Sequence, residues 1–122
     1  MGGFSRNSAA DLSAKKYFIA MNDANGKAVL ADAATKGLLG VIKDGGRSSG
    51  DDVSIYGPDE IAEVIAGGAI TLSATLPIYV TSDAAGKAVA TTTAGNIVIG
   101  IALTTAATDD KVQILPTYFR HP

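Results

Sequence analysis

Apolar residues along this chain gather in short runs bounded by Gly, Pro, Asn and Asp, the pattern of strands joined by turns. Phe18-Ile19-Ala20 leads into Asn25-Gly26, a strong short-range hairpin cue, because a type I′ turn needs positive φ that Asn and Gly tolerate. Leu38-Leu39-Gly40-Val41-Ile42 and Ile97-Val98-Ile99-Gly100-Ile101-Ala102-Leu103 are continuous rather than alternating, which predicts strands covered on both faces. Gly40 and Gly100 interrupt them mid-run, where glycine marks a bulge or a close backbone approach. Glu60-Ile61-Ala62-Glu63-Val64-Ile65-Ala66 reads as a further strand, broken by Gly67-Gly68, with extended structure resuming at Ile70-Thr71-Leu72. Pro58 and Pro77 punctuate the boundaries.

The pattern occurs twice. An offset of 60 residues sets Asn22-Asp23-Ala24-Asn25-Gly26-Lys27-Ala28-Val29 on Ser82-Asp83-Ala84-Ala85-Gly86-Lys87-Ala88-Val89. It also pairs Phe18-Ile19-Ala20 with Ile78-Tyr79-Val80, Ala34 with Ala94, and Gly40-Val41 with Gly100-Ile101. One residue of slip then matches Asp52-Val53-Ser54-Ile55 to Lys111-Val112-Gln113-Ile114. Two copies are too few for a solenoid. They predict an all-β domain, a small barrel or sandwich of two similar halves, each strand, tight turn, strand, loop, strand, loop, strand. The expected organisation is a flexible, extended N-terminal arm over 1–16, a β domain over 17–117 with the repeat at 17–57 and 77–115, and a tail over 118–122. Ser8 and Asp11 have capping-box spacing, so the arm is expected to hold at most a short helical turn.

Composition narrows the chemistry. At 122 residues the chain is one domain, and much of its 47% hydrophobic content is Ala, with only four Tyr and three Phe, which suits thin sheets of small side chains. Ten basic against twelve acidic residues leave no basic field to hold nucleic acid. No cysteine is present, which removes disulfides and thiolate catalysis. With no apolar signal region at Met1-Gly2-Gly3-Phe4 and no run long enough to span a bilayer, the expectation is a soluble chain made in a reducing cytosol. His121 is penultimate, a poor place to hold a general base. Asp51-Asp52 and Asp109-Asp110 lack the spacing of a calcium loop and read as turn residues before strands. Gly45-Gly46-Arg47-Ser48-Ser49-Gly50 lacks the Lys-Ser/Thr of a phosphate loop and reads as a mobile surface loop. Lys27 and Lys87 follow glycine at two turn tips, unlike the single central lysine of lipoyl or biotinyl carriers. No catalytic, metal or cofactor-binding residue is expected.

The termini carry the candidate partner-binding residues. Phe4, Arg6, Leu12, Lys15 and Lys16 lie in the arm, and Tyr118, Phe119 and Arg120 follow the last strand. The tail aromatics either fold back on the domain or serve as anchors in a partner, as aromatic and Arg side chains often do. The arm has too few apolar groups to order alone, and is expected either to pack on its own domain or to lie along a neighbour.

Five segments in order resemble the small capsid cement, or decoration, proteins of tailed bacteriophages. They are Ala10-Asp11-Leu12-Ser13-Ala14-Lys15-Lys16-Tyr17-Phe18, Leu39-Gly40-Val41-Ile42, Ala66-Gly67-Gly68-Ala69-Ile70-Thr71, Ser82-Asp83-Ala84-Ala85-Gly86-Lys87-Ala88-Val89 and Val98-Ile99-Gly100-Ile101-Ala102. The resemblance spans residues 9–115. The chain departs from it at 70–76, which lacks a Gly-Asp turn, and in the added tail. The resemblance implies an all-β body behind an arm and a non-enzymatic, structural role. It implies a protein on the outside of the virion capsid that binds the major capsid protein, commonly as a homo-trimer, with no cofactor, nucleic acid or membrane partner. A tail, fibre or glycan-binding β module is the alternative, and a carrier domain a more distant one.

Overall fold

The computed structural model describes residues 4–46, 50–57 and 60–122, Phe4 through its backbone alone. Gly2-Gly3, the loop segment Arg47-Ser48-Ser49 and Pro58 lie outside the described residues. Ten strands among those described form two five-stranded antiparallel sheets, with no helix. The first sheet holds β1 (Phe4–Asn7), β2 (Ile19–Asn22), β3 (Ala28–Leu30), β4 (Leu38–Asp44) and β5 (Asp52–Ile55), in the order β1-β5-β4-β2-β3. The second holds β6 (Ala62–Ile65), β7 (Tyr79–Ser82), β8 (Ala88–Ala90), β9 (Ile97–Ala102) and β10 (Lys111–Arg120), in the order β6-β10-β9-β7-β8. The two orders are the same permutation, so the repeat is one of topology as well as sequence.

Each sheet nearly meets itself. A single parallel bridge ties Ser8 to Ala28 in one half and Ala66 to Ala88 in the other. Ala9 N–H donates to Ala28 O at 3.0 Å, and Gly67 N–H to Ala88 O at 2.7 Å. The edge strands β3 and β8, three residues each, are too short to extend these bridges into ladders. The sheets therefore stay open, and of the expected barrel or sandwich the arrangement is the sandwich-like one.

The repeat reaches further into the termini than the sequence pattern does. β1 is the counterpart of β6 and pairs with β5, Phe4 opposite Ile55 and Asn7 opposite Asp52. The segment read as an arm thus supplies the first strand of the first half, held by backbone bonds that apolar periodicity does not report. No helical turn forms behind it; Lys15 N–H donates to Leu12 O and Phe18 N–H to Lys15 O in two successive turns. At the other end, Tyr118–Arg120 belong to β10 rather than to a tail. Phe119 pairs with Val98 and Arg120 with Ile97, after a register shift at Pro116. That proline has no N–H for the ladder and sits where the ladder is interrupted.

The core follows the same duplication. Leu12, Ala20, Ala28, Ile42, Val53 and Ile55 form the buried cluster of the first half. Their counterparts Ile70, Val80, Ala88, Ala102, Val112 and Ile114 are buried in the second. The second cluster is larger because Ile19 and Val41, cross-strand partners on the opposite face of the first sheet, join it. The first half is therefore buried on both faces, as its continuous apolar runs require.

The turns repeat atom for atom. Asn25 and Lys27 N–H donate to Asp23 Oδ1 at 2.8 and 2.9 Å, and Ala85 and Lys87 N–H to Asp83 Oδ1 at 2.8 and 2.9 Å. Only the glycine of each turn has positive φ, 78° at Gly26 and 76° at Gly86. The Asp carboxylate thus sets a turn closed by one left-handed glycine in place of the expected type I′ turn. Gly100 serves a different need, since a Cβ there would lie 2.8 Å from Ile114 Cδ1.

Two predictions follow from this packing. Gly26 is exposed, whereas a Cβ on Gly86 would lie 2.5 Å from Leu30 Cδ1 and 3.2 Å from Ile19 O. Gly26→Ala should cost about 1 kcal/mol through its φ alone. Gly86→Ala should cost about 1–3 kcal/mol more from overpacking. Urea midpoints that fall equally in both variants would contradict the seating of the first half on Gly86. Leu12→Ala should cost about 2–5 kcal/mol as a core truncation. An unchanged melting temperature would return Leu12 to a mobile arm.

Candidate functional site

Of the residues singled out at the termini, the structure brings some together and separates others. Leu12 is buried at 2% exposure, so it is a core residue and presents nothing to a partner. Phe4 is fixed by strand pairing through its backbone. Arg6 is exposed and donates from Nη1 to Gly26 O at 3.3 Å. Phe119 is half-buried, edge-to-face on Tyr79 at 5.1 Å between ring centres, so it folds back on the domain. Tyr118 stays exposed, with partial burial pushing its hydroxyl pKa upward, and Arg120 is exposed beside it.

Lys15 and Lys16 lie at the junction of the two halves. Lys15 Nζ stands 4.9 Å from the Phe18 ring centre, and Lys16 Nζ 5.1 Å from that of Tyr17. Lys111, from β10, also stands over the Tyr17 ring, at 4.0 Å from its centre. Tyr17 itself has φ 74°, a left-handed backbone that a bulky residue rarely adopts. Bonds on both sides hold it there. Its N–H donates to Ile42 O at 3.1 Å, and its carbonyl accepts from Ile65 N–H at 2.9 Å. Three cations and two aromatic rings are thereby fixed on one surface, and the sequence reading had only two of those cations. The signal for Lys111 was its place at the head of a repeated strand, which carries Asp52 in the first half.

Two apolar recesses complete the surface. A cleft of about 350 Å³ opens between the halves, lined by Leu38, Leu39, Tyr56, Ile99, Pro116 and Tyr118 among others. A groove of about 320 Å³ lies at the far end of the second half, between Leu76, Tyr79, Ala90 and His121. His121 is held by its backbone, donating to Asn96 O and accepting from Gly95 N–H, both at 2.8 Å. Lys27 and Lys87, the turn lysines, are not equivalent, since Lys87 Nζ bonds Asp109 Oδ1 at 2.9 Å, which raises its pKa. Asp109 takes φ 70° where the first half has Gly50, at 89°. Among the described residues no cluster of His, Asp and Glu stands close enough to hold a metal ion. The arrangement offers apolar relief and fixed charge, the means of docking.

Comparison with known proteins agrees with this geometry. No curated protein matches the sequence. The fold is similar to that of the N base of the head fiber gp8.5 of bacteriophage phi29, with a TM-score of 0.62 and 21% identity, over 94% of this chain and 92% of that one. The sequence model for phage cement proteins matches residues 18–116, nearly all of both sheets. The ordered strands, the duplicated turns and that match together establish that the chain belongs to the phage cement protein family, the structural proteins of the virion that act on the outer surface of the capsid.

Proposed function

We propose that the chain binds the major capsid protein lattice as a homo-trimer, cementing neighbouring subunits without catalysing any reaction. The family match over residues 18–116 carries this reading. The structure supports it through a rigid body whose exposed features are rings, cations and shallow apolar recesses. A module present in many copies on one shell gains by avidity and needs no deep pocket. Shell binding also stabilises the folded module, since only that form docks.

Within this reading Arg6, Lys15 and Lys16 meet acidic groups of the shell, and Tyr118 and Arg120 contribute at the opposite end of the chain. Phe4 and Phe119 act through the strands that hold them. The cations around Tyr17 are favoured because their rings already fix them, so little side-chain entropy is lost on docking.

Co-sedimentation with mature capsids of the source phage tests the function: the protein should pellet with shells and leave free DNA unbound. Firm, salt-sensitive DNA binding without shell binding would overturn it. Lys15→Glu combined with Lys16→Glu should stay folded with at most a small loss in melting temperature, because Lys111 and the two backbone bonds of Tyr17 remain. It should weaken shell binding about tenfold or more, most at low salt, well beyond any small loss of stability from removing Lys16 from the Tyr17 ring. Unchanged binding by the double variant moves the contact to another face. Deleting residues 2–12 is not an equivalent test, because it removes β1 and Leu12 and so unfolds the first half.

A further inference from the structure

The two halves meet in a way that does not satisfy both of them. The first half lays the Ile19–Val41 face of its sheet on the second half, where Ile19 is fully buried and Val41 is 2% exposed. The second half answers with specific groups. Gly86 O accepts from Ile19 N–H at 2.7 Å, Ile65 N–H donates to Tyr17 O at 2.9 Å, and Ile97 N–H donates to Ala34 O at 2.7 Å. Leu30 packs over Gly86, leaving no room for a Cβ.

By the repeat, the second half owns the same docking face, and the first half owns the same set of answering groups. The counterparts of Ile19 and Val41 are Tyr79 and Ile101, which pair across β7 and β9. Leu115 pairs with Ile101 on that face. It is only partly covered: Phe119 and His121 stand edge-on against Tyr79, at 5.1 and 5.7 Å between ring centres, while Leu115 is 42% exposed and Leu76 69%, with Ile61 and Leu103 nearby in sequence to its strands and also exposed. The counterparts of the answering groups Gly86, Ile65 and Ile97 are Gly26, Asn7 and Gly37, and all three are exposed. One molecule therefore carries a second, partly open copy of each side of its own internal interface.

We propose that these partly open sides join between copies of this chain, the Gly26 turn of one molecule seating against the Tyr79, Ala90 and Leu115 face of the next. The contact is heterologous, head to tail, and generates a ring when its rotation closes. It gives the proposed homo-oligomer a surface, and rests on that part of the reading above. Ala90 stands where Leu30 stands in the internal contact, so the intermolecular seat is shallower and the contact weaker than the internal one. In the free molecule Arg6 Nη1 bonds Gly26 O, the acceptor that corresponds to Gly86 O, so assembly displaces Arg6.

The chain has no cysteine, so site-directed cross-linking is unambiguous. Full-length Asn25→Cys and Ala90→Cys variants, mixed and treated with a short bis-maleimide, should give a cross-linked pair that neither variant gives alone. The assay is run in solution and on capsid shells. Adding Leu115→Glu to the Ala90→Cys partner should reduce the yield about tenfold or more, with an unchanged melting temperature. No cross-link in either setting, or a yield indifferent to Leu115→Glu, overturns the contact. If the pair forms but no variant or wild-type protein pellets with shells, the contact stands and the capsid reading fails. If shells are decorated normally and no pair forms, the contact fails alone.

Discussion

The fold depends on covering the second face of the first sheet. Each half is a five-stranded sheet whose own core is built mostly from alanine, valine and isoleucine, too thin to be stable by itself. Burying Ile19 and Val41 against the second half makes one core of two. The Gly86 turn makes this possible: its carbonyl meets Ile19 N–H at 2.7 Å, and the absence of a Cβ lets Leu30 close over it. The same residue type that terminates a hairpin in the first half becomes, in the second, the seat of the interface. Gly26 keeps only the conformational role; Gly86 has both.

Much of this was legible in the sequence, and the part that was not has a physical cause. Strands and their repeat were visible because their apolar runs bury side chains on defined faces, and the offset of 60 residues preserved the turn chemistry around Asp23 and Asp83. β1 was invisible, because Phe4–Asn7 is held by main-chain pairing with β5, and its counterpart β6 has a different composition. Leu12 was misplaced with it. Its match to Ile70 lies in a slightly shorter register than the one the turns define, and a single leucine among polar neighbours carries no periodicity. The end of β10 was hidden by Pro116, which reads as a strand breaker but here sits at a register shift. Of the candidate surface, the cations at 15 and 16 were legible as charge; their assembly with Lys111 about Tyr17 was not, because it depends on how the two halves dock.

A cement protein works by shape and fixed charge held on a stable body, and the physical features here serve that end. Asp carboxylates bonded to backbone amides stiffen both turn tips without help from the rest of the chain. Tyr17 holds a left-handed conformation that costs about 1–3 kcal/mol, offset by its two backbone bonds and the cations over its ring. Strain concentrated at one half-buried aromatic, between two sheets, keeps the cations about its ring in one arrangement. The affinity of each copy can then stay modest, because the shell supplies the multiplicity.

Tandem duplication carries a geometric consequence of its own. When two like units join through unlike faces, each unit uses one face and leaves the other open, so a two-unit chain always ends in one unused face of each kind. Repeat proteins ordinarily blunt such ends with polar capping residues. This chain does so fully on one side only: the exposed end of the first half presents Asn7, Gly26 and Asp52, while that of the second, where Phe119 and His121 shield Tyr79, still presents Leu76, Leu103 and Leu115. An apolar end left uncapped would favour uncontrolled association in a protein made to be free in solution. In a protein that acts on the capsid surface, the same end is open to the head-to-tail contact proposed above, and the shallow seat at Ala90 would confine such assembly to a surface that aligns the copies.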